Sequence, residues 1–394
     1  MVLIKEKESG QIDGIPEGLL REFNSTLIFD RRLFVTEASV SFVYADSLFN
    51  AGVLTRLESE RIKNGLQTIL KRAEHDSNYF DNSTSEDVFT FIEEKLVQLI
   101  GEPARKIHIG RSRAEQISTT LRIWLRSEIE EISGLAKKFQ KSIIRTGEKQ
   151  FEAVLPTVRI IEKRPPTLWA NWCLAYFEMI ARDRERLDEV WRRVNILPSG
   201  TDENAEIVLE IDFEEAARAL KFEGIAANNF EAASDRDFVV EFVGACAILI
   251  THLSRLAADL IFYSSGELEA IKFSDEKAAN SDSELKNVCT SALKNLIGKS
   301  GRVFGHQTAL LSNLKGLSLN AVADSREVIE AVFDTVETIK LSLENAKIIL
   351  DLVVVDEIKT DDATKINSLN KDIFSEKIYE ALENAKKNLI FEEN

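Results

Sequence analysis

Cysteine is nearly absent. The chain carries three, Cys173, Cys246 and Cys289, far apart and with no CxxC pair among them. That excludes a disulfide framework and a thiolate zinc site, and it fits a reducing, cytoplasmic setting. Histidine is scarce too. His75, His108, His252 and His306 are the whole set, and none has a second ligand at helical spacing, so no metal and no cofactor is expected. Proline numbers six, with none after Pro198, which leaves the second half free to form very long helices. No basic tail exists, and acidic residues outnumber basic ones, 66 against 50, for a net charge of −16. Such a field disfavours nucleic acid as a partner. No apolar run is clean enough for a membrane: Phe238 to Tyr263 is interrupted by Glu241, His252, Arg255 and Asp259, and a spanning helix rarely carries four such residues. The opening MVLIKEKESGQIDG is too charged to read as a signal peptide. Gly298-Lys299-Ser300-Gly301 is no phosphate loop, because neither a preceding strand nor a leading glycine supports it.

What is present is helical periodicity. With 394 residues and 44% hydrophobic composition, the chain can bury a large core and form more than one domain. Ile117, Leu121, Trp124, Leu125, Ile129, Ile132 and Leu135 follow 3/4 spacing and predict a helix that continues to Ile144. A second helix is predicted within Thr167 to Leu197, with charges on its outer face. Ser234 is expected to cap a third, which is apolar on nearly every side and wants to be surrounded. A fourth begins near Leu285, and a fifth spans roughly Ser325 to Leu352. Strand signals are weak, limited to short runs such as DLVVVDEI. His252, in the third helix, is expected to be hydrogen-bonded there, and His75 to lie in the polar loop HDSNYFDNSTSED. The class is mainly α, a bundle of long helices. Three segments are expected: a helical domain over 1–105, a central long-helix bundle over 106–355 and a short C-terminal remnant over 356–394.

The stretch SEDVFTFIEEKLVQLIGEPARKIHIGRSRAEQISTTLRIWLR resembles the argininosuccinate lyase family, in which an EDVH segment precedes a TGRSRNDQ turn and a long helix. The likeness continues through FNSTLIFDRRL, CLAYFEMIARDRERLDEVWRRVNILPSG, AANNFEAASDRDFVVEF and GKSGRVFGHQTALLSNLKGL. It implies a three-domain fumarase/aspartase-like fold with a long central helix bundle, a homotetramer, and sites shared between subunits. The family reaction splits argininosuccinate into arginine and fumarate. A serine takes the proton, a histidine helps the nitrogen leave, and a lysine stabilises the intermediate. The family's small C-terminal domain has no recognisable counterpart before the closing LENAKKNLIFEEN.

Carried over residue by residue, the resemblance leaves the chemistry without its parts. The histidine position of the THLQ segment falls on Ile160, between Arg159 and Glu162. The reactive serine falls on Asp282 and the lysine on Asn287, and Ser281 or Ser283 takes the serine's place only if the loop register shifts. Cys289 stands at another position of that loop, Phe89 at the EDVH histidine, Ala114 at an amide, and Ala321 and Ala323 at a tyrosine and an arginine. Retained are Gly110, Arg111, Ser112, Arg113, Gln116 and Ser41, together with Ser234-Asp235-Arg236-Asp237. The candidate substrate contacts are Ser41, Arg111, Ser112, Arg113, Gln116, Arg159 and Glu162. Arg111 and Arg113 either cradle a carboxylate at a helix start or pair with acids such as Glu115.

Three readings follow. The first is a non-catalytic relative kept as an oligomeric scaffold, its partner another copy or a genuine lyase. The second is a lyase with a changed substrate, using Arg159, Glu162, Asp282 and Glu284 in the old cleft. The third is an argininosuccinate lyase of low activity.

Overall fold

The computed structural model describes residues 23–81, 83–156, 167–198, 209–266, 268–274, 282–316, 326–356 and 371–391. They divide into two compact units. One is Met1–Gly110 with Glu206–Ala216; the other is Arg111–Ala205 with Ala217–Asn394.

In the first unit, α1 (Phe34–Asn50), α2 (Arg56–His75) and α3 (Val88–Ile100) pack on one another and on a 3₁₀ turn at Glu102–His108. Helix α2 opens with a capping box between Thr55 and Glu58, which satisfies two otherwise orphaned backbone donors. Lys106 of the 3₁₀ turn bonds the same Glu58 at 2.5 Å. The Lys106 hydrogen bond, followed by those from Thr55, holds the Glu58 carboxyl at about 2. His75 is the last residue of α2 rather than part of the loop that follows it. That loop is fixed by aromatics: Phe80 meets Phe34 edge-on at 5.0 Å, and Tyr79 meets Phe91 at 5.5 Å.

The second unit is built from long helices. Helix α4 (Arg113–Lys149) runs 37 residues and buries Leu121, Leu125, Ile129, Ile132, Ala136, Phe139 and Ile143, one stripe at 3/4 spacing. It packs against α5 (Trp169–Val194). After a one-and-a-half-turn helix α6 (Asn229–Ser234) come α7 (Asp237–Tyr263), α8 (Asp282–Leu314) and α9 (Arg326–Asp351). Helix α7 packs on α5, α8 and α9. By length and composition it is apolar enough to cross a membrane, yet half of its most apolar window is buried among these neighbours. Its Ile248 remains 40% exposed. The last helix, α10 (Lys371–Phe391), buries Ile378, Leu382, Ala385 and Leu389 and packs on α4 and α5. Gly147 of α4 faces it, and a Cβ there would make ordinary van der Waals contact with Leu382 at 3.6 Å and Cys173 at 3.4 Å.

Two further sequence expectations need correction. Ser234 does not cap α7. It ends α6 and donates to the Glu231 carbonyl, and Asp235 accepts from the Asp237 N–H instead, at 2.8 Å. Helix α8 begins at Asp282 rather than near Leu285, so Cys289 lies within a helix and not in a loop. The β-branched run DLVVVDEI does form a strand. Val353–Val355 pairs antiparallel with Ile271–Phe273, and the Gln150 amide bonds its outer edge at the Val353 carbonyl and the Val355 N–H.

Candidate functional site

In the chain, Gly110 closes the first unit and Arg111 opens the second. Gly110 adopts φ +74°, and a Cβ there would fall 2.4 Å from Leu209 Cδ1. Glycine suits the positive φ, and any side chain would also have to displace the end of Leu209. The carbonyl just before it, of Ile109, accepts from the Tyr44 hydroxyl at 2.9 Å.

In the second unit, Ser112 stands in extended backbone and caps α4, its Oγ accepting from the Glu115 N–H at 3.1 Å. Arg113 Nη1 donates to Gln116 Oε1 at 3.0 Å. Glu115 and Gln116 are buried, whereas Arg111, Arg113 and Ala114 are half-buried. Ser112 thus starts a long helix, whose first N–H groups need partners.

Two turns further on, Arg122 is 4% exposed. Its Nη1 donates to the Arg193 and Val194 carbonyls at the end of α5, at 3.0 and 3.4 Å. Its Nη2 pairs with Asp235, and the guanidinium lies 4.1 Å from the centre of the Phe238 ring. A cation at a helix C-terminus meets the negative end of the backbone dipole. Arg236 is buried beside it and donates to the Asp235 carbonyl at 2.6 Å. Burial pulls the Arg236 guanidinium down to about 10 and lowers Arg122 as well. Asp235-Arg236 therefore works as the floor of this packing. The composition signal was Arg122 itself, a charge falling on the core stripe of α4 three residues before Leu125, and sequence reasoning passed over it.

Ser41, in the first unit, donates to Glu37 Oε1 at 2.7 Å, one turn back on α1 and fully inside the fold. Phe89, at the EDVH position, is buried in α3. Asp87 caps that helix through the Thr90 N–H at 2.7 Å. Arg159, Ile160, Glu162, Ser281, Ala321 and Ala323 lie outside the described residues, and the Asp282 side chain does as well. Ser283, Glu284 and Asn287 are exposed on the first turns of α8, while Cys289 is buried and burial raises its thiol.

His252 meets the expectation of a bonded core histidine: Nδ1 lies 2.7 Å from Asp183 Oδ2. Arg186 takes the other oxygen at 2.9 Å, and burial raises the Asp183 carboxyl. That partner, 69 residues away, carries no signal in the sequence. Asp259, also unforeseen, accepts from Trp172 Nε1 at 3.0 Å and from the Tyr176 hydroxyl at 2.8 Å. A groove of 640 Å³ opens between α5 and α7, lined by Arg182, Arg186, Arg193, Glu189, Glu241 and Ile248 among others. Among the described residues, none that the resemblance nominates lines it. Among the described residues no three His, Cys, Asp or Glu side chains gather as a metal site would require.

A family model described as Lyase matches residues 10–305. The argininosuccinate lyase of Prochlorococcus marinus strain NATL2A is 39% identical over 324 residues, 82% of this chain and 70% of that protein. The argininosuccinate lyase of Paracidovorax citrulli is 37% identical over 328 residues. Among solved structures, the 3-carboxy-cis,cis-muconate lactonizing enzyme from Pseudomonas putida aligns with TM-score 0.67 at 16% identity, over 96% of this chain and 86% of that one. A match at that identity speaks for the fold.

Proposed function

This chain belongs to the lyase family, and from that membership we propose that it is an argininosuccinate lyase-like protein that has lost the family chemistry and persists as an oligomeric scaffold. The observation that carries the reading is a joint substitution: Ile160, Asp282 and Asn287 occupy the positions matched to the proton donor, the proton acceptor and the lysine. A positioned acid or base contributes about 10²–10⁴ in rate, and one stabilising donor about 10²–10³. An isoleucine moves no proton, and an aspartate beside a substrate's carboxylates repels them.

The fold supports this reading. Helix α8 is continuous from Asp282, so from that residue on the segment matched to the family's catalytic loop forms helical turns here. Ser41, Ser112, Arg113 and Gln116 make their bonds inside the protein. The role as a scaffold draws on the long helices, where Phe304 (42% exposed), Leu311 (53%) and Ile348 (57%) offer apolar surface to another subunit. A second copy or a genuine lyase would supply it, as a homotetramer or a mixed oligomer. The test is to incubate the full chain with argininosuccinate and follow fumarate, with native mass spectrometry on the same sample. No fumarate from an assembled oligomer is expected; turnover would refute the reading.

A further inference from the structure

Helix α10 is held along one side. Among its described side chains, Ile378, Leu382, Ala385 and Leu389 are buried, and the others stand at or near the surface. Residues at that spacing form a single narrow stripe, which packs on α4 and α5. Helix α7, by contrast, is packed by α5, α8 and α9 together. Most of a helix's stability in a protein comes from packing its apolar face, so this one seam is what keeps α10 in place. Its polar ties lie at the surface. Lys386 Nζ meets Glu148 Oε1 at 2.8 Å, with both side chains partly exposed; such pairs add little and are screened by salt. Tyr379 is 58% exposed and meets the Phe151 ring edge-on at 6.1 Å.

The elements beneath are tied to one another without α10. Asp351, at the end of α9, takes Ser142 and Arg145 of α4. Gln150, just past α4, clasps the edge of Val353–Val355, which pairs in turn with Ile271–Phe273. Under the seam, a Cβ at Gly147 of α4 would lie 3.6 Å from Leu382 Cδ2, 3.4 Å from Cys173 Cβ and 3.7 Å from Ala170 Cα. A leucine of α10, the glycine of α4 and two residues of α5 therefore surround one point. Cys173 is fully buried there.

We propose that α10 is a strap that opens as a unit while the helices beneath it stay folded, and that its opening is what makes the Cys173 thiol reachable from solvent. Stability is not uniform across a protein, and segments with few buried apolar contacts open first. One stripe and a surface ion pair put α10 at that end of the scale, whereas α4 and α9 keep their mutual bonds when it leaves. The open strap uncovers an apolar seam of Gly147, Ala170 and Cys173 on the α4–α5 pair. Cys246 is also fully buried but belongs to α7, so the two thiols distinguish release of the strap from unfolding of the bundle. The strap depends on the fold alone and stands whether or not the protein turns over argininosuccinate.

The test uses the full chain in native buffer. Pulses of N-ethylmaleimide followed by peptide mass mapping compare Cys173 with Cys246. Hydrogen exchange, corrected for intrinsic rates, compares residues 375–389 with α7. In the wild type, α10 should exchange at least about tenfold faster than α7, and Cys173 should label at least about tenfold faster than Cys246. Leu382→Ala removes the buried side chain over Gly147 and should speed Cys173 labelling by about thirtyfold or more, as large-to-small core substitutions do, with Cys246 and α7 unchanged. The proposal is overturned if α10 and α7 of the wild type exchange alike, or if Cys173 labels no faster than Cys246, readouts that need no variant. It is equally overturned if Leu382→Ala speeds both thiols together, because Cys173 would then be reached by unfolding of the bundle. Faster exchange of α10 in that variant with Cys173 labelling unchanged would also sink it, since the strap would not guard the thiol.

Discussion

Replacing Arg122 by methionine keeps the length of the side chain and removes its charge and donors. The structure sets the magnitude. Asp235 would lose its partner in a site where its side chain is 18% exposed, and the Arg193 and Val194 carbonyls would lose theirs at the end of α5. Breaking a buried ion pair from one side costs about 3–5 kcal/mol, and each stranded buried acceptor adds about 1–3 kcal/mol. These terms share one side chain and do not add in full, so about 4 kcal/mol is expected, a large part of a typical total of about 5–15 kcal/mol. Urea unfolding followed by far-UV circular dichroism reads it as a lower midpoint at unchanged slope. Asp235→Asn, which keeps an acceptor, should cost less, about 1–3 kcal/mol. If Arg122→Met lies within about 1 kcal/mol of wild type, the view that these polar residues serve packing is wrong, and a ligand becomes the better account of Arg122 and Asp235.

Gly110→Ala should destabilise the first unit by more than about 1 kcal/mol, since both the positive φ and the Leu209 contact oppose a side chain; limited proteolysis of residues 23–110 would detect it. Ser112→Ala should cost about 1 kcal/mol through the lost cap of α4, and Ser112→Asp should be tolerated; thermal melts compare the two. Glu58 is held at about 2 in the folded protein, below an unfolded value of about 4.3. Its contribution is therefore present above the unfolded value and is lost as pH falls toward 2. Glu58→Gln should flatten the acid limb of the stability profile in that window.

The long helices were readable because their apolar residues recur every three or four positions and no proline interrupts the second half. The start of α4 was readable from the periodic run after the GRSR turn, whereas the capping role of Ser112 needed coordinates. The start of α7 misled because Ser234 and Asp235 are both good caps, and only the three-dimensional end of α6 decides between them. Helix α10 hid within a polar tail, its stripe of Ile378, Leu382, Ala385 and Leu389 too sparse to stand out. The partners of His252, Arg122 and Gln150 lie 69 to 205 residues away in the chain, and no local pattern encodes such distances. At the candidate site, the proposed loss of the acid, base and lysine rests on the sequence match alone. The internal bonds of the retained polar residues needed coordinates.

The most direct test of the account is fumarate release from argininosuccinate by the full chain, run beside the Prochlorococcus marinus argininosuccinate lyase at equal concentration. With donor, acceptor and lysine positions all changed, the account predicts a rate at least about 10⁴-fold below that enzyme's. A rate within about a hundredfold of it would place working acid–base groups in this protein and contradict the account.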